Sequence, residues 1–188
     1  LSQYTFREEG GGPLGWAGRI APEKGLEDAA AAAAALGDRL LVWGLREDDA
    51  YAEAVEAAVP AGTIEWRGFL STSDLQKELG SCRALLNTPK WNEAYGNVVV
   101  EAMACGVPVI AYDRGGPGEL ICSGGTGLLV NPDDVSALTA AVSRCETIQR
   151  RACRDWVERH ASRAVFSQRV ETWIREGLAA DGNITAMH

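Results

Sequence analysis

An open parallel β-sheet covered by helices on both faces, followed by an all-helical tail, is the α/β, Rossmann-like fold that this sequence predicts. Two observations predict it. Short apolar runs alternate with helix-like stretches along most of the chain. The apolar runs are continuous rather than alternately apolar and polar, as strands buried on both faces require.

The elements follow in order. Residues 14–18 (LGWAG) read as a strand, and the Ala-rich stretch 25–36 reads as a strong helix. Residues 39–43 (RLLVW) form a second strand, 48–58 an acidic helix, and 63–66 a third strand. Ser71, Thr72 and Asp74 supply capping chemistry for a short helix over 71–80. Two buried-type strands, 84–87 (ALLN) and 107–111 (VPVIA), flank a helix over 97–105, and 127–130 is a last short strand. From Asp133 onward the chain is helical, in segments 133–146, 147–159 and 162–177. The turn Asn131-Pro132-Asp133 starts the first of them with a preset bend and an acidic first turn.

With 188 residues, 46% of them hydrophobic and six of them Trp, the chain suits one compact domain with a sizeable core. Its 18 basic and 26 acidic residues give a net charge of −8, which argues against a nucleic-acid binder. A phosphorylated small molecule is still open to it, since two or three cations in a cleft suffice. Five scattered cysteines without a CxxC pair suit a reducing cytoplasm rather than a disulfide framework. No apolar run approaches the roughly 20 residues of a transmembrane segment. The start at Leu1 and the lead-in REEGGGP suggest that a segment upstream is missing. The expected division is therefore 1–12 as a remnant of an interdomain linker, 13–178 as the domain, and 179–188 as a frayed tail.

In open sheets of this kind ligands bind beyond the carboxyl ends of the strands, so the strand-to-helix turns carry the chemistry. The first turn holds Arg19 at the end of a strand and Lys24 at the mouth of the Ala-rich helix. A bidentate guanidinium, a compact ammonium and free helix N–H groups make a diphosphate clamp. The alternative is two surface cations paired with Glu23 and Glu27. The second turn runs Glu93, Ala94, Tyr95, Gly96, Asn97 into Val98 and a further helix, with Glu101 eight residues beyond Glu93. Gly96 permits close backbone approach to a ligand, and the helix again presents N–H groups. Glu101 interrupts an apolar stretch (VVVEAMA), where a carboxylate is costly unless hydrogen-bonded; a pair of sugar hydroxyls would satisfy it. The alternative is a carboxylate facing solvent or a nearby cation. A third turn, residues 114–119 (RGGPGE), reads equally as a loop passing close to a ligand or as a tight turn before a short helix.

Other chemistries find little support. Two histidines, no His/Cys spacing and no DxD argue for no metal site and no bound cofactor. Neither GxSxG nor a GxGxxG dinucleotide fingerprint is present. Asp48-Asp49 and Asp133-Asp134 read as favourable charges at helix starts.

GRIAPEKG followed by NEAYGNVVVEAMACGVPVIA and GGPGELICSGGTGLLVNPDD resembles glycosyltransferase family 4, the group 1 transferases of GT-B architecture, over about residues 13–175. The Glu-x7-Glu spacing of that family is matched by Glu93 and Glu101. Tyr95 stands in place of the more usual Phe, and Trp43-Gly44-Leu45 in place of a more Gly-rich turn, which leaves that loop's phosphate contacts open. The resemblance implies the C-terminal, donor-binding half of a two-domain enzyme whose N-terminal acceptor-binding domain is missing. It implies Arg19, Lys24 and Glu93 as catalytic residues around a nucleotide-sugar diphosphate. The turn Ala94, Tyr95, Gly96, Asn97 and Val98 would also bind the donor, Glu93 the sugar hydroxyls and Glu101 the ribose. It further implies retention of anomeric configuration, no metal, and an isolated half that is inactive. The wording GRIAPEKGLEDA and RALLNTPKWNEAYGNVVVEA is similar to a cyanobacterial group of UDP-glucose:tetrahydrobiopterin glucosyltransferases, which implies UDP-glucose as donor and a pterin acceptor. Two other readings stand beside it: a non-catalytic nucleotide- or sugar-binding module, and a GT-B epimerase or phosphorylase.

Overall fold

The computed structural model describes residues 3–185, with side-chain surroundings through residue 178. Six parallel strands form one sheet: β1 (Leu14–Ala17), β2 (Leu40–Trp43), β3 (Ile64–Gly68), β4 (Ala84–Asn87), β5 (Val109–Tyr112) and β6 (Gly127–Val130). Their order is β3-β2-β1-β4-β5-β6. Register is fixed by pairs such as Trp16 with Val42, Leu86 with Ile110 and Leu14 with Ala84. The order reverses between β1 and β4, and their carboxyl ends diverge into a crevice there.

Helices α1 (Leu26–Leu36), α2 (Asp49–Ala57), α3 (Thr72–Leu79), α4 (Asn97–Ala104), α5 (Gly116–Leu120) and α6 (Val135–Cys145) cover the sheet, followed by α7 (Arg150–His160) and α8 (Arg163–Thr185). The run of alanines in α1 has a packing reason. Ala29, Ala30, Ala32 and Ala33 are fully buried, so the helix lies close to the sheet and to α6. Trp16, Trp43, Leu85, Leu86, Ile110 and Tyr112 fill the interior of the sheet. Each such aliphatic side chain contributes about 1.5–3 kcal/mol on burial. Cys82, Cys105, Cys145 and Cys153 are buried filler, whereas Cys122 is exposed.

The crossovers are tight where glycine allows it. Gly44 after β2 takes a φ of 154°, and a Cβ there would meet Gly18 O at 1.7 Å. Gly25, at a φ of 66°, sits against Thr88 O, which a Cβ would approach to 2.0 Å. The Thr88 hydroxyl donates to Gly25 O at 2.6 Å and accepts from the Trp16 indole at 3.3 Å. This small polar web ties the loops after β1 and β4 together at the crevice.

Several details differ from the sequence expectation, among them β5, expected over 107–111 and found at Val109–Tyr112. A 3-10 turn (Pro22–Lys24) precedes α1, with Gly25 as the cap. The helix expected from residue 147 begins at Arg150, because the N–H groups of Thr147 and Ile148 fold back onto Arg144 O and Cys145 O. Asp133 does not start a helix: it adopts a left-handed φ of 64° and pairs with Lys90 and Arg114, and Asp134 takes the capping role by accepting from Ala137 N. The backbone of α8 runs to Thr185, and residues 186–188 of the expected tail lie outside the described residues.

The lead-in is packed onto the domain. Arg154 of α7 donates to Tyr4 O at 2.8 Å, Arg7 N donates to Cys105 O, and Thr5 N donates to the buried Gln76 at 3.0 Å. No helix among the described residues is long and apolar enough to cross a membrane.

Candidate functional site

Two adjoining cavities open at the crevice between β1 and β4, and they share Ala17, Gly18, Arg19, Asn97 and Val98, so they form one cleft. The apolar lobe, of about 370 Å³, is walled by Trp43, Gly44, Leu45, Phe69, Leu70 and Leu75, with Glu101 at its edge. The polar lobe, of about 330 Å³, is walled by Trp16, Lys24, Asn87, Pro89, Glu93 and the turn 94–98. All nine residues singled out from the sequence line this cleft.

Local structure explains how each arrives there. Lys24 ends the 3-10 turn immediately before Gly25, the N-cap of α1, so its ammonium stands beside that helix N-terminus and takes a carboxylate partner there. Its ammonium meets Glu93 at 2.5 Å and lies 4.9 Å from the Trp91 ring centroid. Arg19 leaves the end of β1 half-exposed and donates to Glu47 at 2.5 Å and Glu23 at 2.8 Å. The alternative pairing expected for these cations is thus realised for Arg19 with Glu23. Glu27 is instead the acceptor of the Tyr51 hydroxyl.

Gly96 caps α4 with a φ of 91°, and no side chain makes a capping hydrogen bond to that helix end. Val99 N bonds back to Gly96 O at 2.9 Å, which leaves the amides of Asn97 and Val98 to whatever enters the polar lobe. The turn itself is held by the third Gly-rich segment. Gly116 N donates to Glu93 O at 2.7 Å, and a Cβ on Gly115 or Gly116 would collide with the Glu93 or Tyr95 backbone. The close approach that residues 114–119 were expected to permit is thus an approach to the Glu93 turn, with the short helix α5 behind it.

Glu101 is partly buried, opens onto the cleft and forms no salt bridge among the described residues. Its Oε1 accepts from the Tyr4 hydroxyl at 3.0 Å. Burial holds the Glu101 carboxyl above the usual carboxylate range, and the Tyr4 bond partly offsets this. Burial and the neighbouring carboxylate push the Tyr4 hydroxyl up to about 12.

Sequence reasoning missed Asn87, Phe69, Leu70, Leu75 and Tyr4. Asn87 carried a signal: a polar residue closes the buried strand ALLN, at the carboxyl end where ligands bind. Its Oδ1 is buried in the lobe wall with no hydrogen-bond partner. Tyr4 carried none, because its partner lies 97 positions away. Among the described residues no group of three His, Cys, Asp or Glu side chains could hold a metal ion.

Comparison with known proteins bears on this cleft. The sequence model of the family described as "Glycosyl transferases group 1" matches residues 10–163. A "GDP-mannose-dependent alpha-mannosyltransferase" of Mycolicibacterium smegmatis is 35% identical over 148 residues, covering 78% of this chain and 38% of that protein. A "2-deoxystreptamine glucosyltransferase" of Streptomyces kanamyceticus is 33% identical over 167 residues, covering 82% and 43%. Among solved structures, a sucrose-phosphate synthase from Thermosynechococcus elongatus superposes with a TM-score of 0.82 at 25% identity, over 95% of this chain and 51% of that one. The chain thus spans about half, or less, of the length of each relative.

Proposed function

The chain belongs to the group 1 glycosyl transferases, and from that premise we propose that its cleft holds the nucleotide-sugar donor of a retaining, metal-independent hexosyl transfer. The observation that supports this most is the convergence of Lys24, Glu93 and the N-terminus of α4, which lacks a side-chain cap, on one polar lobe beside the apolar lobe edged by Glu101. The diphosphate lies over the α4 amides with Lys24 and Arg19, which turn to it from Glu93, Glu23 and Glu47. Glu93 is then free for the sugar hydroxyls. Glu101 takes the ribose, and the flat base lies against Phe69, Leu70 and Leu75.

In this reading no protein nucleophile is needed. Negative charge develops on the departing diphosphate, and the two cations and the helix amides are preorganised to receive it, each worth a few kcal/mol of barrier. Acceptor recognition belongs to the remainder of a longer protein, and the 188 residues alone bind donor without transferring sugar. UDP-glucose as donor, a pterin as acceptor and a cytoplasmic location follow from the sequence wording described above and the unpaired cysteines.

A second donor, GDP-mannose, is favoured by the name of the Mycolicibacterium relative. Titration of the chain with UDP, GDP and ADP by calorimetry separates these. Preference for UDP supports the first reading and preference for GDP the second. Equal, millimolar-or-weaker binding of all three supports a module that has kept the fold without the reaction. Product analysis with the intact protein separates transfer from epimerisation or phosphorolysis.

A further inference from the structure

Behind the cleft wall, the lead-in residue Tyr4 hydrogen-bonds to the cleft residue Glu101, and the donor-site reading gives that contact no role. We propose that Tyr4 is a positioning residue for Glu101: its hydroxyl holds one carboxylate oxygen so that the other is presented to the ribose. The proposal rests on the assignment of Glu101 to the ribose.

The geometry that carries it is over-determined. Three elements fix the backbone around Tyr4. Arg154 of α7 donates through one nitrogen to both Tyr4 O at 2.8 Å and Ala104 O at 2.9 Å, so the lead-in is clamped to the end of α4. Gln76 of α3 accepts from Thr5 N at 3.0 Å, and its own amide donates to Ser73 O at 3.1 Å, so it is locked from both sides. Arg7 N donates to Cys105 O at 3.1 Å. A phenol held this firmly delivers its O–H to Glu101 Oε1 at 3.0 Å with little freedom left to lose. Glu101 has three rotatable bonds and no cation among its neighbours along α4, so without that bond its carboxylate would sample several rotamers. An interaction made by an already oriented group costs less ordering when ligand arrives.

The bond also sets the protonation state available to a ribose. A carboxylate accepts from two hydroxyls, whereas a protonated carboxyl has to place its own hydrogen. Burial favours the protonated form of Glu101, and the Tyr4 hydroxyl acts against it. The other titratable or charged groups around it are Cys105 on its own helix, Arg154 behind Tyr4, and Arg19 and Glu47 along the same lobe. From α3 the lobe receives only the apolar Leu75. Arg19 and Glu47 are paired with each other, and among the described residues Tyr4 is the one group that donates a hydrogen bond to the Glu101 carboxylate.

The test compares the 188-residue chain with its Tyr4→Phe, Glu101→Gln and doubly substituted variants. Affinity for UDP, GDP and ADP, each against its 2′,3′-dideoxy counterpart, is measured between pH 4 and pH 8. Tyr4→Phe keeps the ring in place, and a melting curve checks that the fold is intact. The expected result is loss of about tenfold in the preference for ribose over dideoxyribose, the size of one hydrogen bond to a charged group. The acid limb of binding should also move to higher pH, and the double variant should be no worse than Glu101→Gln alone. An unchanged ribose preference and acid limb in Tyr4→Phe, with a clear loss in Glu101→Gln, overturns the role of Tyr4 and leaves the ribose site standing. No ribose preference in the unsubstituted chain, or none lost in Glu101→Gln, overturns the ribose assignment and this proposal with it.

Discussion

Lys24 and Glu93, 69 positions apart in the chain, meet at 2.5 Å across the mouth of the polar lobe, each side chain less than a fifth exposed. A cation and a carboxylate that share one site before the ligand arrives can trade partners when it does. The ammonium turns to phosphate, and the carboxylate turns to a sugar hydroxyl. The pair therefore keeps both charges balanced in a half-buried site, where removal of one partner leaves the other uncompensated.

Lys24→Ala in the intact protein should lower turnover by about 100- to 1,000-fold, the range for loss of one preorganised charge donor. Steady-state rates with saturating donor check this. Near-normal turnover would rule out a diphosphate role for Lys24.

Glu93→Gln should weaken donor binding without unfolding the domain, since the Glu93 turn is also held through its backbone by Gly116. Because Lys24 and Glu93 are in contact, their substitutions should be non-additive by about 0.5–3 kcal/mol in a double-mutant cycle on binding. Additive losses would mean that the two groups act separately.

Three glycines separate close packing from backbone conformation. Gly37 shares a φ of 66° with Gly25, but a Cβ on Gly37 would meet nothing within 4 Å. Gly37→Ala should therefore cost only about 1 kcal/mol of αL strain. Gly25→Ala and Gly44→Ala add collisions with Thr88 O and Gly18 O, and each should cost more than about 3 kcal/mol. Urea unfolding midpoints check the ranking, and equal losses at all three would refute it.

Acid should act on two carboxylates with opposite signs. Arg114 first, then Lys90, holds Asp133 below the usual carboxylate range. Its contribution to stability is present above the ordinary Asp value and is lost as pH falls through the lowered one. Asp133→Asn, which tolerates the left-handed backbone, should flatten that acid limb. Glu101 is held above its usual range, chiefly by burial. Its contribution to stability is present below the ordinary Glu value and is lost as pH rises through the raised one. Ribose binding follows the reverse course, tightening as Glu101 ionises in that same window. Stability and nucleotide affinity measured from pH 3 to pH 7 test both signs.

The sequence by itself predicted a parallel sheet and most of its helices, because continuous apolar runs and capping side chains act over a few residues each, and its local turns with the family resemblance named the nine residues that line the cleft. Trp16, Leu40, Leu85 and Ile110 read as buried strand residues and are buried. The Glu-x7-Glu spacing located Glu93 and Glu101 on a turn and the helix after it. Tertiary structure alone decided the partners. Glu93 takes Lys24 rather than standing free, Asp133 takes Lys90 and Arg114 rather than a helix end, and Glu101 takes Tyr4. The physical reason is range. Local propensity fixes which face of an element a side chain joins, but the atom it finally meets depends on which distant segment the sheet order and the close glycine crossovers bring alongside.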